Sequence, residues 1–369
     1  MYNEAKSDSH EGNSGDHTSD ANPILAENAA YCDVQENKMK ENEQQANLSR
    51  RDFVKTAAVG LGGMSAVAAA GVGAQPTEAA QTSDRLPPAA QGVGAIDKLV
   101  ITLAPSGRAP DLPSQPDMRV PKLHADAALE GFNAGASIVH LRGTQLAGGQ
   151  GGPDLENWRE VTGLVRSRCD MVINYGSSAM APSIRKPLLA LKPDAGSVLV
   201  GHHYGGMPIS AENARQSMRD HLEAGVLPEV EIFHSGDIAN LNVLVKAGLV
   251  RPPYQVTLFF NYSSYYGVPP SLLELQSRLA LLPPNTHWTV NTKGPRQLEM
   301  AAYAILWGGH VRTGLENSVE AAPGRPATSQ GECVEQIVRL ARDLGREVAT
   351  PQDARKMLGL PRKPEKPNV

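Results

Sequence analysis

The sequence is poor in cysteine and in aromatic residues. Aromatic side chains make up 5% of the 369 residues, and there are three cysteines. Cys32 lies in a polar N-terminal stretch, which leaves Cys169 and Cys333 for the rest of the chain and no Cys-x-x-Cys pair. The cysteine content therefore excludes a disulfide framework and a cysteine-ligated metal site.

Neither sign of charge dominates the composition. The formal net charge is −4, and there is no long basic run. Nucleic-acid-binding proteins carry strongly basic surfaces, so nucleic acid is excluded as a partner. The 41% apolar and 20% charged residues are typical of a globular enzyme.

The first 96 residues show no pattern of a folded domain. Residues 1–48 are polar and are predicted to be a disordered leader. The stretch "SRRDFVK" and the weakly apolar run after it resemble a twin-arginine export signal over residues 49–74, with small residues at a cleavage site ending at Ala74. Residues 75–96 are predicted to be a linker.

The signal predicts a periplasmic protein that is exported folded and has no stable membrane insertion after processing. Two alternatives stay open. The apolar run could be a membrane anchor, although it is rich in glycine and only just long enough to span. Translation could also start at Met39, and a leader that does not export would leave the protein cytoplasmic.

From residue 97 onward, short apolar strands alternate with amphipathic helices. The predicted strands are residues 98–104, 136–142, 170–176, 195–201, 229–234, 254–260, 287–292 and 309–315. Helix signals separate them, such as Pro121 in a first turn, Ser329 and Glu332 in capping-box spacing, and Thr350 before Pro351. Eight such units predict a (β/α)8 TIM barrel over residues 97–361, with a tail at 362–369. An open doubly wound sheet is the alternative, but its glycine fingerprint is absent.

Polar residues follow the predicted strands where a barrel carries its active site. His140 and Arg142 lie two residues apart on one side of a strand, and Glu231, Arg312 and Glu316 occupy comparable positions. By contrast, His124 and His221 lie in helix patterns and are predicted to be solvated.

Five segments resemble the β-keto acid cleavage enzymes. They are "AGASIVHLR", "LKPDAGSVLVG", "PEVEIF", "GGHVRTGLENS" and "LGREVATPQDARKMLGL". The resemblance runs from Lys98 to Leu360. It implies a TIM barrel, a homo-oligomer, and C–C cleavage of a β-keto acid with acetyl-CoA at a divalent metal, usually zinc. It also implies that His140 and Glu316 are metal ligands and that Arg312 is catalytic.

The sequence departs from the family pattern at the residues that hold the metal and move protons. The second histidine of the family's His-x-His is Arg142, and the acid after the glutamate is Asn317. An acid after the first strand falls on Ala109, a serine after the third falls near Gly176, and a threonine of the fourth falls on Ser197. Catalytic zinc normally has three protein ligands, so a third would have to come from His202, His203 or His234.

Arg142 leads to the hypothesis that a guanidinium takes the place of the metal. It would pair with Glu316 and, together with Arg312 and Ser197, bind a small carboxylic acid substrate. Arg142, Arg312, Glu316 and Asn317 are then the candidate catalytic residues.

Three functional interpretations stay open. The first is a divergent C–C-cleaving enzyme, assisted by a metal or by Arg142. The second is a non-catalytic barrel that binds a small carboxylate. The third is an intact acetyl-CoA-dependent enzyme in the cytoplasm, because an exported protein would not meet acetyl-CoA.

Overall fold

The computed structural model describes residues 97–105, 117, 119–143, 154–178, 180–202, 208–262, 267–317, 320–322 and 324–361. The leader, signal, linker and tail predicted over residues 1–48, 49–74, 75–96 and 362–369 lie outside the described residues. Across the described ranges, no helix combines the length and the apolar character needed to cross a bilayer.

Eight parallel strands close into a barrel in chain order, which confirms the predicted TIM barrel. The strands are β1 (Ile101–Leu103), β2 (Ile138–Leu141), β3 (Val172–Tyr175), β4 (Ala195–Leu199), β5 (Leu227–Ile232), β6 (Tyr254–Phe260), β7 (Thr286–Thr292) and β8 (His310–Thr313). β1 pairs with β2 on one side and with β8 on the other. The pairing of β1 with β8 brings the first and last strands of the barrel side by side.

Helices follow the strands and cover the outside of the barrel. They are α1 (Pro121–Asn133), α2 (Leu155–Arg168), α3 (Pro182–Leu189), α4 (Ala211–Ala224), α5 (Ser235–Lys246), α6 (Leu272–Leu281), α7 (Gln297–Leu306), α8 (Gln330–Asp343) and α9 (Pro351–Met357). A short antiparallel pair, β9 (Glu320–Ala322) and β10 (Arg325–Pro326), lies between β8 and α8.

The predicted helix signals act largely as expected. α1 begins at Pro121, and the Ser329 hydroxyl accepts the Glu332 backbone N–H at 3.1 Å to cap α8. The Glu332 carboxylate, however, accepts from the backbone N–H and hydroxyl of Thr328 instead of closing the box on Ser329. Thr350 does form a full capping box with Asp353 at the start of α9.

The predicted solvent exposure of two helical histidines is wrong. His124 on α1 and His221 on α4 are 1% and 0% exposed. The His221 ring bonds through Nδ1 to the Ser217 carbonyl, and burial lowers the pKa of both histidines to about 4. Both lie on the inner face of their helices, so they are neutral core residues.

A buried ion pair fastens the last helix to the barrel. Arg355 on α9 donates from Nη1 to Asp194 Oδ1 and from Nη2 to Asp194 Oδ2, both at 2.9 Å. Asp194 Oδ2 also accepts the Ile173 backbone N–H of β3 at 2.9 Å. One carboxylate thus joins α9, β3 and the start of β4.

Replacing Arg355 with leucine should lower the free energy of unfolding by about 3–5 kcal/mol, since it leaves the buried Asp194 carboxylate without its cation. Denaturant titration followed by circular dichroism measures this loss. The matched control is Arg339→Leu, which removes an exposed i,i+4 pair with Glu335 on α8 and should change stability by less than about 1 kcal/mol. Equal effects of the two substitutions would contradict the assignment.

Candidate active site

The structure brings together the four side chains that the sequence singled out. His140 lies on β2 and Arg142 follows the end of that strand, while Arg312 lies on β8 and Glu316 just beyond it. β1 is the only strand between β2 and β8 on this side of the barrel, so the side chains at the ends of β2 and β8 meet at the carboxyl end of the barrel. His140 and Arg312 are buried, whereas a quarter of the Arg142 side chain is exposed.

The Glu316 carboxylate lies between two guanidinium groups. Its Oε1 is 3.0 Å from Nη2 of Arg142, and its Oε2 accepts from Nη2 of Arg312 at 3.1 Å. Each carboxylate oxygen therefore faces a different arginine. The contact between Arg142 and Glu316, expected from the sequence, is part of a three-residue chain of charges.

A second carboxylate, Glu229 on β5, is held inside the barrel by neutral donors. Its Oε2 accepts from Ser197 Oγ at 2.7 Å and from Asn174 Nδ2, and its Oε1 accepts from Thr257 Oγ1. Ser197, expected to contact substrate, thus bonds to Glu229. The sequence analysis missed Glu229 and Thr257, although the alternation Glu-Val-Glu in "PEVEIF" puts Glu229 on the same face as Glu231.

Glu231 lies two residues further along β5 and is 3% exposed. Its nearest charged partner is Arg312, whose Nη1 is 4.0 Å from Oε1. Burial, followed by the charge of Glu229, raises the pKa of Glu231 to about 7, although Arg312, a hydrogen bond with Ser178 and Arg142 oppose the shift. Glu231 is therefore partly protonated near neutral pH.

His140 is a neutral imidazole with a defined tautomer. Burial, followed by the charges of Arg312 and Arg142, lowers the pKa of His140 well below its ordinary value. Its Nδ1 lies 3.4 Å from Nη1 of Arg312 and 3.4 Å from Nδ2 of Asn174. Both neighbours can only donate, so Nδ1 is the acceptor and the proton is on Nε2, which has no hydrogen-bond partner among the described residues.

Gly176, after β3, leaves room for His140 and Arg142. A Cβ at this position would lie 2.6 Å from His140 Nε2 and 2.9 Å from Arg142 Cγ. The family resemblance puts a serine near this position, and a serine side chain would collide with both residues as they stand. The arginine at 142 and the glycine at 176 are thus sterically coupled.

Aromatic rings pack beside the charges. The Arg312 guanidinium carbon lies 5.6 Å from the centre of the Phe259 ring, which stacks on Phe233 at 4.4 Å. Tyr262 meets both rings edge-on. Burial, followed by the charge of Glu316, raises the pKa of the Tyr262 phenol, so this side of the site is apolar with a neutral hydroxyl.

The remaining predicted residues have other partners or are not described. Asn317 donates from Nδ2 to Asn291 Oδ1 at 2.7 Å, which joins the ends of β7 and β8. His202 bonds through Nδ1 to Asp237 at 2.9 Å and packs against the His234 ring. His203 and Ala109 lie outside the described residues.

The donor set does not fit a catalytic zinc ion. Among the described residues, no group of three His, Cys, Asp or Glu side chains is arranged to hold a metal. Both oxygens of Glu316 face arginines, and the His140 lone pair faces Arg312. A dication ~4 Å from the Arg142 charge would be repelled by about 8 kcal/mol at an effective dielectric constant of about 20.

Comparisons with known proteins agree with this architecture. The 3-keto-5-aminohexanoate cleavage enzyme of Fusobacterium nucleatum is 34% identical over 276 residues, which cover 72% of this chain and 99% of the relative. The 3,5-dioxohexanoate:acetyl-CoA acetone transferase of Paraburkholderia graminis is 28% identical, covering 71% of this chain and 96% of the relative. The apo structure of ObcA shares the fold, with a TM-score of 0.53 and 18% identity over 66% of this chain and 65% of that one.

The sequence model of the β-keto acid cleavage enzymes matches residues 98–360, which is nearly the whole barrel. The resemblance seen in the sequence is thereby confirmed: this chain belongs to the β-keto acid cleavage enzyme family and is an enzyme of that type.

Proposed function

We propose that this chain cleaves the C–C bond of a small β-keto carboxylic acid with Arg142 in the place of a metal ion. The observation that carries the proposal is the Glu316 carboxylate, whose two oxygens face Arg142 and Arg312 at 3.0 and 3.1 Å. In this arrangement a guanidinium occupies the position that a cation would need in order to bind Glu316. The Arg142 guanidinium is positively charged, as a metal ion would be, but it is a planar hydrogen-bond donor and not a point charge.

Arg142 is the group that an incoming acid reaches first, because it is the more exposed arginine of the pair. Its guanidinium binds the substrate carboxylate or keto oxygen by charge-assisted hydrogen bonds. Arg312 lies beneath it, fixed by Glu316 and by the Phe259 ring. The neutral ring of His140 donates from Nε2, and Asn317 contributes an amide where the family has an acid. A buried, preformed set of donors of this kind stabilises negative charge that develops on a keto oxygen.

We further propose that the chain is exported and that water replaces acetyl-CoA as the acceptor. The support is the twin arginine at residues 50 and 51 with the apolar run that follows it. Hydrolytic cleavage converts R–CO–CH₂–COO⁻ and H₂O into R–COOH and CH₃–COO⁻. The Paraburkholderia graminis relative, which is named for its use of acetyl-CoA, would then differ from this chain in the acceptor.

A second candidate function is binding of a small carboxylic acid without turnover. It is favoured by Asn317, since an amide cannot accept the proton that an acid at that position could. Cleavage and binding without turnover both require Arg142 and Arg312. Formation of a cleavage product therefore distinguishes the two functions.

Elemental analysis of the purified protein should find well below one zinc ion per chain. Arg142→His should raise the zinc content, because it restores a nitrogen ligand next to His140 and Glu316 and removes the repelling charge. Arg142→Lys keeps a cation at this position and is the control that should stay zinc-poor. Stoichiometric zinc in the unaltered protein would overturn the replacement of the metal by Arg142.

Arg142→Met should weaken binding of acetoacetate, the smallest β-keto acid, by about 10- to 100-fold, the loss expected with one charged hydrogen-bonding partner. Isothermal titration calorimetry measures the affinity. Arg339→Met on the outer face of α8 is the control and should bind as the unaltered protein does. An unchanged affinity of Arg142→Met for acetoacetate would show that Arg142 does not bind the substrate.

Fusing residues 1–80 to a reporter enzyme that is active only when exported folded tests the location. We expect export, and we expect the substitution of both Arg50 and Arg51 by lysine to abolish it, because the export machinery reads the arginine pair. Reporter activity confined to the cytoplasm in both fusions would favour acetyl-CoA as the acceptor.

A further inference from the structure

The family pattern has an acidic residue at position 317 that could transfer a proton, and this chain has Asn317 there instead. Cleavage next to a carboxylate requires a proton to move at C2, the carbon between the keto and carboxylate groups. Asn317 is an amide engaged with Asn291. Three buried carboxylates lie around Arg312 among the described residues, namely Glu229, Glu231 and Glu316.

Two of these carboxylates are fully occupied by their neighbours. Each oxygen of Glu316 contacts the guanidinium group of a different arginine. The oxygens of Glu229 accept from three side chains on three different strands, Asn174, Ser197 and Thr257. Protonating either carboxylate would break several of these bonds, so neither suits a residue that takes up and releases a proton in each turnover.

Glu231 is the exception. It points into the barrel on the same face of β5 as Glu229, and the closest arginine nitrogen is 4.0 Å away, beyond hydrogen-bond distance. The charge of Glu229 on one side and Arg312 on the other leave Glu231 able to exist in either protonation state. Its pKa, raised to about 7 by burial and by Glu229, agrees with that environment.

Glu231 also lies beside one of the two arginines that the proposed function assigns to the substrate. Arg312 contacts Glu316 through Nη2 and faces Glu231 through Nη1. C2 of a β-keto acid is one bond from the carboxylate carbon. An acid whose carboxylate binds Nη1 of Arg312 would therefore bring C2 to the edge of the guanidinium that faces Glu231.

We propose that Glu231 is the catalytic residue that transfers the proton at C2. The inference rests on the proposed function, since it assumes a β-keto acid held by Arg142 and Arg312. In hydrolytic cleavage, water adds to the keto carbon and gives up one proton, the bond from that carbon to C2 breaks, and protonated Glu231 gives its proton to the carbanion left at C2; the proton from water then replaces it on Glu231. With the intact acid, ionised Glu231 runs the same transfer in the other direction: the C2–H bond breaks, the proton passes to a Glu231 carboxylate oxygen, and the electron pair moves into the keto group to form an enolate whose oxygen accepts from Arg142.

The ionised form of Glu231 accepts the proton, so the rate of proton removal should rise with pH up to about 7 and then level off. Several groups on other elements face Glu231 and influence this titration. They are Arg312 on β8, Arg142 after β2, Ser178 after β3 and Tyr262 after β6, in addition to Glu229 on the same strand.

Deuterium exchange at C2 of acetoacetate, followed by proton NMR in D₂O, tests the proposal without requiring the acceptor to be known. We expect the protein to accelerate exchange over buffer and Glu231→Gln to slow this catalysed exchange by roughly 100-fold or more, the usual contribution of a general base. Glu231→Asp should keep part of the rate and of the pH dependence. Glu335→Gln, an exposed acid on α8, is the control and should exchange at the unaltered rate.

Two further measurements separate a catalytic role from a structural one. Circular dichroism and calorimetric binding of acetoacetate should be unchanged in Glu231→Gln, because the two arginines remain in place. Exchange at the unaltered rate in Glu231→Gln would overturn the role of Glu231 and leave the proposed function standing. Binding of acetoacetate by the unaltered protein with neither exchange nor cleavage would overturn both and identify a carboxylate-binding barrel.

Discussion

The candidate site depends on one structural constraint, the closure of the barrel by the pairing of β1 with both β2 and β8. Strand ends that are separated by nearly half of the chain become neighbours, and the side chains at these ends are brought into one largely buried space. His140 and Arg312, 172 residues apart in sequence, approach to 3.4 Å. The close contacts of Arg142 and Arg312 with Glu316 follow from this closure, because every participant is attached within a few residues of β2 or β8.

The charges in this space balance without a metal ion when Glu231 is protonated. Arg142 and Arg312 supply two positive charges, His140 is neutral, and Glu316, Glu229 and Glu231 supply two or three negative charges according to the state of Glu231. Burying any one of these charges alone would cost several kcal/mol. The departures at positions 142 and 176 therefore go together: the arginine beside His140 uses the space at Gly176 and pairs with Glu316, which the family pattern keeps.

Much of the fold followed from local sequence patterns. The eight strands lie within a few residues of the predicted ranges, and α1, α8 and α9 begin at the predicted caps. The exposure of His124 and His221 was predicted wrongly because a histidine in an amphipathic helix fits either face, and only the packing of α1 and α4 on the barrel decides which face is inside. The predicted capping box of α8 was only partly correct. Ser329 caps the helix, but the Glu332 carboxylate accepts from the backbone N–H of Thr328 and not from that of Ser329.

The sequence by itself determined the alternation of strands and helices, the family, and the unusual arginine at position 142. These features depend on neighbouring residues or on motifs that stay together in the chain. The tertiary structure alone decided that Glu316 is shared between two arginines, that Ser197 bonds to Glu229, that His202 bonds to Asp237, and which ring nitrogen of His140 accepts. The physical reason is that hydrogen bonds and ion pairs act over about 3–4 Å, and only closure of the barrel brings side chains so distant in sequence within that range.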